Sequence, residues 1–259
     1  MKTTFKWMTA AILICGLSLN IASCKKDPVT PEPEPEPQTV TRLASLTLNK
    51  TVGTLSTVSR AYFSWENGVL TGECDTIAIG PLSQTYKNNM TYENGLLVRV
   101  DEEQGRWTYL YTYEDGLMKS FYNLSESDTI SWGEITAYTA DGMVEKFMSY
   151  NSLGKKTSWT LTWQDGDAVA VVEDVLEPEE VAGTHIYQFL YDDKPSVYTG
   201  FPLGNAIFDG EGGMVARRLS KHNVMEDGFT CTYNEQGYLI SYVKENESIF
   251  YNYIEQTLR

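Results

Sequence analysis

The residue in this chain best placed to form a covalent bond is a cysteine near the N-terminus. Ile21-Ala22-Ser23-Cys24 sets small residues ahead of a thiol, the arrangement in which the sulfur takes a diacylglyceryl group before the preceding peptide is removed. Lys2 and Lys6 precede an apolar run from Ala10 to Ile21, which reads as an export signal and is too short to cross a bilayer. Residues 1–23 are therefore expected to be a lipoprotein signal peptide and Cys24 the lipidation site. Residues 24–39 form a tether carrying Pro31-Glu-Pro-Glu-Pro-Glu-Pro37. Alternating proline and like charge favours extended polyproline II, and Lys25 to Gln38 would reach ~40 Å at ~3.1 Å per residue.

Other reactive types are sparse. The two histidines, His185 and His222, have no local catalytic signature beside them. Cys74 and Cys231 remain in the mature domain. They form a disulfide if the first and last hairpins approach in an oxidising compartment, and are otherwise two buried thiols. Glu173-Asp174-Val-Leu-Glu177-Pro-Glu179-Glu180 gathers five acids without the Asp-x-Asp-x-Asp-Gly spacing of a calcium loop, so a solvated loop is expected. Asp75-Thr-Ile77 and Asp128-Thr-Ile130 have the form of a short O-glycosylation sequon, on Thr76 and Thr129. Carboxylates are abundant, but no pair is singled out for glycoside hydrolysis. No glycine loop cradles phosphate. The expectation is a protein that is not an enzyme, with no cofactor and no metal.

Loss of Lys2 and Lys6 takes the formal charge from −15 to −17, which disfavours nucleic acid and anionic membrane as partners. Arg217-Arg218-Leu-Ser-Lys221-His222 is the local exception. Read as a strand, it puts Arg217, Leu219 and Lys221 on one face, a solvated edge.

The elements that must position any site are written as a repeat. Trp65-Glu-Asn-Gly-Val-Leu70, Tyr92-Glu-Asn-Gly-Leu-Leu97, Tyr113-Glu-Asp-Gly-Leu-Met118 and Trp163-Gln-Asp-Gly-Asp-Ala168 share one form. Tyr138 to Val144 and Tyr233 to Leu239 carry one extra residue, and Tyr191-Asp-Asp-Lys-Pro-Ser196 is degenerate. Asn-Gly and Asp-Gly between alternating runs signal two-residue type I′ hairpins. That turn pairs Trp65 with Leu70, Tyr92 with Leu97, Tyr113 with Met118 and Trp163 with Ala168. A three-residue loop with a bulge still pairs Tyr138 with Val144 and Tyr233 with Leu239. The turn glycines are Gly68, Gly95, Gly116, Gly142, Gly166 and Gly237. Period-two alternation, as in Trp107, Tyr109, Tyr111 and Tyr113, supports strands, and no run between residues 40 and 259 shows helical periodicity. Residues 40–259 are expected to be a single all-β domain: a large antiparallel up-and-down meander of about 14–16 strands, curved or barrel-like, built from seven hairpin repeats. Tight turns would fall at one end. Longer, varied returns would fall at the other, the end better suited to binding.

The Tyr-x-Asp/Glu-x-Gly-x-Leu pattern resembles tyrosine–aspartate β-hairpin repeats. Together with the box at Cys24, Lys25-Lys26-Asp27, the Pro/Glu tether and Arg217-Arg218-Leu219-Ser220-Lys221, the chain also resembles a family of Bacteroidota lipoproteins of unknown function with a porin-like fold. The resemblance implies a large antiparallel meander and an exported location, and brings no catalytic or binding residues. Lys194-Pro195, standing where glycine is expected, departs from the pattern. Charges within strands, such as Arg99 and Asp101, favour a water-soluble sheet over a pore.

These readings together give a lipid-anchored, non-catalytic envelope protein at the outer membrane, on either its periplasmic or its surface face. It would touch membrane through the N-terminal lipid alone and bind a glycan, lipid or protein through loops or a sheet cavity. The alternatives are an envelope scaffold or assembly partner without a small ligand, and a glycoside hydrolase-like enzyme.

Overall fold

Asn94 and Gly95 take φ of 51° and 80°, and Asp115 and Gly116 take 52° and 80°. Two successive left-handed residues are what a type I′ turn requires, and Asn, Asp and Gly tolerate them. The strands those turns join belong to a computed structural model that describes residues 37–126, 128–204 and 212–258. The signal segment, Cys24 and the tether to residue 36 lie outside them.

Seventeen strands follow along the described chain. They are β1 (Thr39–Val52), β2 (Leu55–Glu66), β3 (Val69–Ile79), β4 (Leu82–Glu93), β5 (Leu96–Glu102) and β6 (Thr108–Glu114). Next come β7 (Leu117–Ser125), β8 (Asp128–Tyr138), β9 (Val144–Asn151), β10 (Lys156–Gln164), β11 (Asp167–Glu177) and β12 (Gly183–Gln188). The last are β13 (Leu190–Pro195), β14 (His222–Met225), β15 (Thr230–Tyr233), β16 (Leu239–Lys244) and β17 (Glu247–Thr257). Fifteen form one antiparallel sheet in the order β12 back to β1, then β17, β16, β15. β1 meets β17 from Thr39↔Thr257 to Lys50↔Glu247, so both ends of the described chain lie at the rim that carries the tight turns. β13 and β14 form a separate pair, and the large sheet is not closed.

All six pairs expected from turn counting are present: Trp65↔Leu70, Tyr92↔Leu97, Tyr113↔Met118, Tyr138↔Val144, Trp163↔Ala168 and Tyr233↔Leu239. The degenerate unit at Tyr191 is a correction. Tyr191 pairs with Val224 of β14, and residues 191–195 run on as strand β13. Without a glycine at Lys194-Pro195 there is no residue suited to the left-handed turn. The repeat therefore makes six hairpins, and Leu43↔Tyr253 across β1 and β17 supplies a further apolar–aromatic pair without a turn.

A feature absent from simple alternation recurs beside every pair. Each register slips by one residue just past the apolar partner, for instance between Ser64↔Gly72 and Trp65↔Leu70. A bulge there shifts the inward positions from every second residue to the third. Leu97 is followed inward by Val100, Met118 by Phe121, Val144 by Phe147, Ala168 by Val171 and Leu239 by Tyr242, all buried. Two residues further on, the inward set turns polar: Asp75, Glu102, Asn123, Ser149, Glu173 and Lys244.

Beyond the bulges, adjacent hairpins part. β3 pairs with β4 only from Gly72↔Asn89 onward, so the Leu70 carbonyl has no strand partner on that side. Tyr92 Oη donates to it at 2.6 Å. Tyr113 serves Leu97 at 2.7 Å, Tyr138 serves Met118 at 2.5 Å, and Trp163 Nε1 serves Val144 at 2.7 Å. Tyr191 serves Ala168, Tyr253 serves Leu239, and Trp65 Nε1 serves Leu43. Tyr233 instead donates to a carboxylate, Asp192 Oδ2 at 2.6 Å.

The sheet wraps around the segment between β13 and β14. Phe201 sits edge-on to Phe63 and Trp65, at 5.0 and 5.4 Å between centroids. A methyl on Gly204 would lie 2.5 Å from the Tyr111 ring, so only glycine fits there. Helix α1 (Gly212–Leu219) buries Val215 and Ala216 against inward residues of β5 to β11. This corrects two expectations, that no helix occurs after residue 40 and that Arg217, Leu219 and Lys221 share a strand face. Two helical turns carry too few apolar residues to show a period. Beyond the exposed Thr199 and Gly200, Phe201 and Gly204 likewise pack inside the sheet and do not form an outer return. The end opposite the tight turns is also less varied than expected: β1–β2, β3–β4 and β7–β8 each return through two residues.

Replacing Tyr113 with Phe should cost about 1–2 kcal/mol in urea unfolding, because the Leu97 carbonyl loses its donor. Tyr122→Phe, on the outward face, should be neutral. Burial pushes the phenols of Tyr92, Tyr113 and Tyr191 up to about 12. A raised folded pKa gives stability that is complete below the unfolded value near 10 and lost as pH climbs toward 12. Absorbance titration should therefore show these tyrosines ionising together with loss of the fold, above the pH at which exposed tyrosines titrate.

Candidate functional site

The inward position after each bulge is apolar in five of the six hairpins and is Glu73 in the first. With Asp75, also inward on β3 opposite Ala61, it puts two carboxylates on the wall of an interior cavity of about 730 Å³. The remaining walls come from β1, β2, β16 and β17, and the floor from Tyr198, Phe201 and α1. Lys50, Thr51 and Asn246 rim the cavity. They place its mouth at the end opposite Thr39 and the tight turns. A second cavity of about 310 Å³, toward Tyr86, Trp107 and Tyr109, shares Glu73, Asp75 and Arg218 with the first. Asn88 Oδ1 in its wall is buried, with no hydrogen-bond donor among the described residues.

Three of the four cations lining the larger cavity rest on aromatic rings. Arg217 lies 5.8 Å from the Tyr242 centroid, Arg218 5.6 Å from Tyr198, and the Lys244 ammonium 5.2 Å from Phe229. Phe229 and Tyr242 stack at 4.0 Å. Arg217 also pairs with Glu226, and Lys50 with Glu247 at 3.1 Å. Glu226 N–H donates to Tyr242 Oη at 2.9 Å, and burial pushes that phenol up to about 12. Rings here hold cations in place, and the lining sets these charged groups beside apolar side chains such as Leu46, Leu48, Phe63 and Ile249.

The other residues singled out by type are dispersed. Cys74 and Cys231 are both free. They stand on β3 and β15, five strand spacings or about 24 Å apart along the sheet, far beyond disulfide reach. The Cys231 thiol contacts Met225 Sδ at 3.8 Å, and burial raises its pKa. The acids of 173–180 diverge: Glu173 binds Lys155 and accepts from Tyr187 Oη, whereas Asp174 accepts from Thr184 on the outer face. No metal-holding group of three ligands occurs among the described residues. His222 Nδ1 meets Asp167 at 2.7 Å, but Ser220 Oγ donates to Tyr191 Oη, so these groups brace the chain beside the Gly166 turn. His185 lies opposite Glu173 at the sheet edge. Thr76 sits within β3, hydroxyl to hydroxyl with Thr85 at 3.2 Å, and Thr129 is exposed near the β7–β8 turn.

A second polar constellation lies by the smaller cavity. The buried Glu102 accepts from the Gln104 and Arg106 amides and from the Arg106 guanidinium, which sits between Tyr86 and Trp107 at 4.6 and 4.9 Å. The hydrogen bonds from Arg106 hold the Glu102 carboxyl below the usual range. Its acceptors are fully used, which marks it as a loop clamp.

Turn counting found the pairs but not this cavity. Its sequence signal was the single acid, Glu73, in an otherwise apolar repeat position. That signal was readable only once the bulge fixed which residue points inward.

No protein-family model matches the chain, and no curated protein matches it. Among solved structures, it is similar in fold to a porin-like protein from Bacteroides uniformis. That match has a TM-score of 0.55 at 9% identity and covers 82% of this chain and 96% of the other.

Proposed function

We propose that this chain is a non-catalytic, lipid-anchored envelope protein that holds a small ligand inside its sheet. The observation carrying the reading is the 730 Å³ cavity between sheet wall and inner segment, a volume in the range of small-molecule sites. The box at Cys24 and the Pro/Glu composition of residues 31–37 support anchoring.

The outward face supports a sheet in water. Arg60, Lys87, Arg99 and Glu134 point outward among Ser45, Thr47, Asn89, Thr91, Thr112 and Thr160. An Arg or Lys facing lipid at mid-bilayer costs roughly 2–4 kcal/mol. The likeness to a porin-like protein therefore concerns the strand path, and the reading here is of a vessel and not a conduit.

Two measurements test the proposal. Cys24→Ser should abolish palmitate labelling and move the protein from the membrane to the soluble fraction. Ala61→Trp, at a buried position on the cavity wall, should abolish the adduct that the wild type acquires from an envelope small-molecule extract in native mass spectrometry. Overpacking makes a loss of about 1–3 kcal/mol in stability expected for that variant, with the fold retained by circular dichroism. A wild type that acquires no adduct would overturn ligand binding and leave the scaffold reading.

A further inference from the structure

We infer that the ligand of this cavity is a neutral, hydroxyl-rich molecule, a short oligosaccharide of uncharged sugars. The inference rests on the cavity being a binding site, as proposed above.

The lining excludes other classes on chemical grounds. A fatty acyl chain would lie against Glu73 and Asp75 from β3, Arg217 and Arg218 from α1, and the Lys50–Glu247 pair. It would remove their water and return no hydrogen bond. An anionic ligand meets four cations, Lys50, Arg217, Arg218 and Lys244, outnumbered by five acids, Glu73, Asp75, Glu226, Glu245 and Glu247, with Arg217 holding Glu226 and Lys50 holding Glu247. A metal ion lacks a three-ligand group among the described residues. An aromatic or steroid-like ligand needs bare ring faces, and here Tyr242, Tyr198 and Phe229 carry cations while Phe63 and Phe201 pack edge to face on each other.

Sugar hydroxyls satisfy each of these conditions. A hydroxyl donates to a carboxylate and accepts from a guanidinium or ammonium in the same geometry. It therefore replaces water on paired charges without separating them, avoiding the cost of a lone buried ion. The connecting cavity offers one more acceptor, Asn88 Oδ1, which is buried without a donor among the described residues. A donor hydroxyl reaching it would remove the cost of that unmet group. Charged planar groups held by rings from behind are pre-ordered, so little side-chain freedom is lost on binding.

The test is calorimetric titration of the folded domain with maltotriose, cellotriose, xylotriose, mannotriose, palmitate and a sulfated trisaccharide. One neutral trisaccharide should bind, and Glu73→Gln should weaken it at least tenfold. Should Glu73→Gln lose its circular dichroism, Lys50→Ala at the mouth takes its place with the same expected loss. Ala61→Trp should abolish the signal, and Tyr122→Phe outside should not change it. Binding of palmitate or the sulfated sugar alone, blocked by Ala61→Trp, overturns the sugar assignment while keeping the cavity as a site. No binding by any probe overturns the sugar assignment, and if no envelope adduct forms either, the cavity reading falls with it.

Discussion

Seven backbone carbonyls near one rim lose a strand partner where neighbouring strands part, and each is met by an aromatic donor from a strand further along the chain. Buried carbonyls cannot be left unmet without a cost of about 1–3 kcal/mol each. The bulge that opens the gap and the tyrosine or tryptophan that bridges it are thus one device. The same bulge turns the third residue inward and builds the next core layer. Removing the aromatic donors would leave those carbonyls unmet, and removing the bulges would turn Val100, Phe121 and Phe147 toward solvent. The aromatic of the repeat acts in two ways, packing on its own hairpin's apolar residue and bonding to its neighbour's backbone.

The device changes at one place, and the inner segment enters there. At β13 the hairpin turn is missing, and Asp192 takes over as organiser. It accepts from the Lys194 and Asn223 amides, the Asn223 side chain and Tyr233 Oη. One carboxylate thus ties both strands of the small pair to β15. The chain freed between Pro195 and His222 fills the interior near the tight turns with Phe201, Val215 and Ala216 and leaves the opposite end hollow. The cavity is a result of where this insertion stops.

Register was legible because the turn chemistry is explicit: Asn-Gly and Asp-Gly fix the loop length, and loop length fixes which residues face each other. The strand count came close for the same reason, with fifteen strands in the main sheet. The bulges were not legible, since Thr71, Val98 and Lys119 carry no shared side-chain signal and a bulge depends on backbone hydrogen bonding between strands. Helix α1 was hidden by its two turns, and its arginines read as a strand edge because their rings, Tyr242 and Tyr198, lie 25 and 20 residues away in sequence. The Cys74–Cys231 pairing failed for a geometric reason. The first and last hairpins do adjoin through β1 and β17, but the two thiols sit on the far strands of those hairpins.

The first described strand, β1, is bonded to β17 from Thr39 to Lys50 on one side and to β2 from Ser45 to Val52 on the other. Tension arriving at Thr39 runs along this strand. It loads both ladders in shear, with many bonds sharing the force at once and none peeled singly. An anchor attached at the open seam near β12 would instead unzip an edge. Force applied at Thr39 would therefore be carried by the wall of the sheet without passing through the chamber.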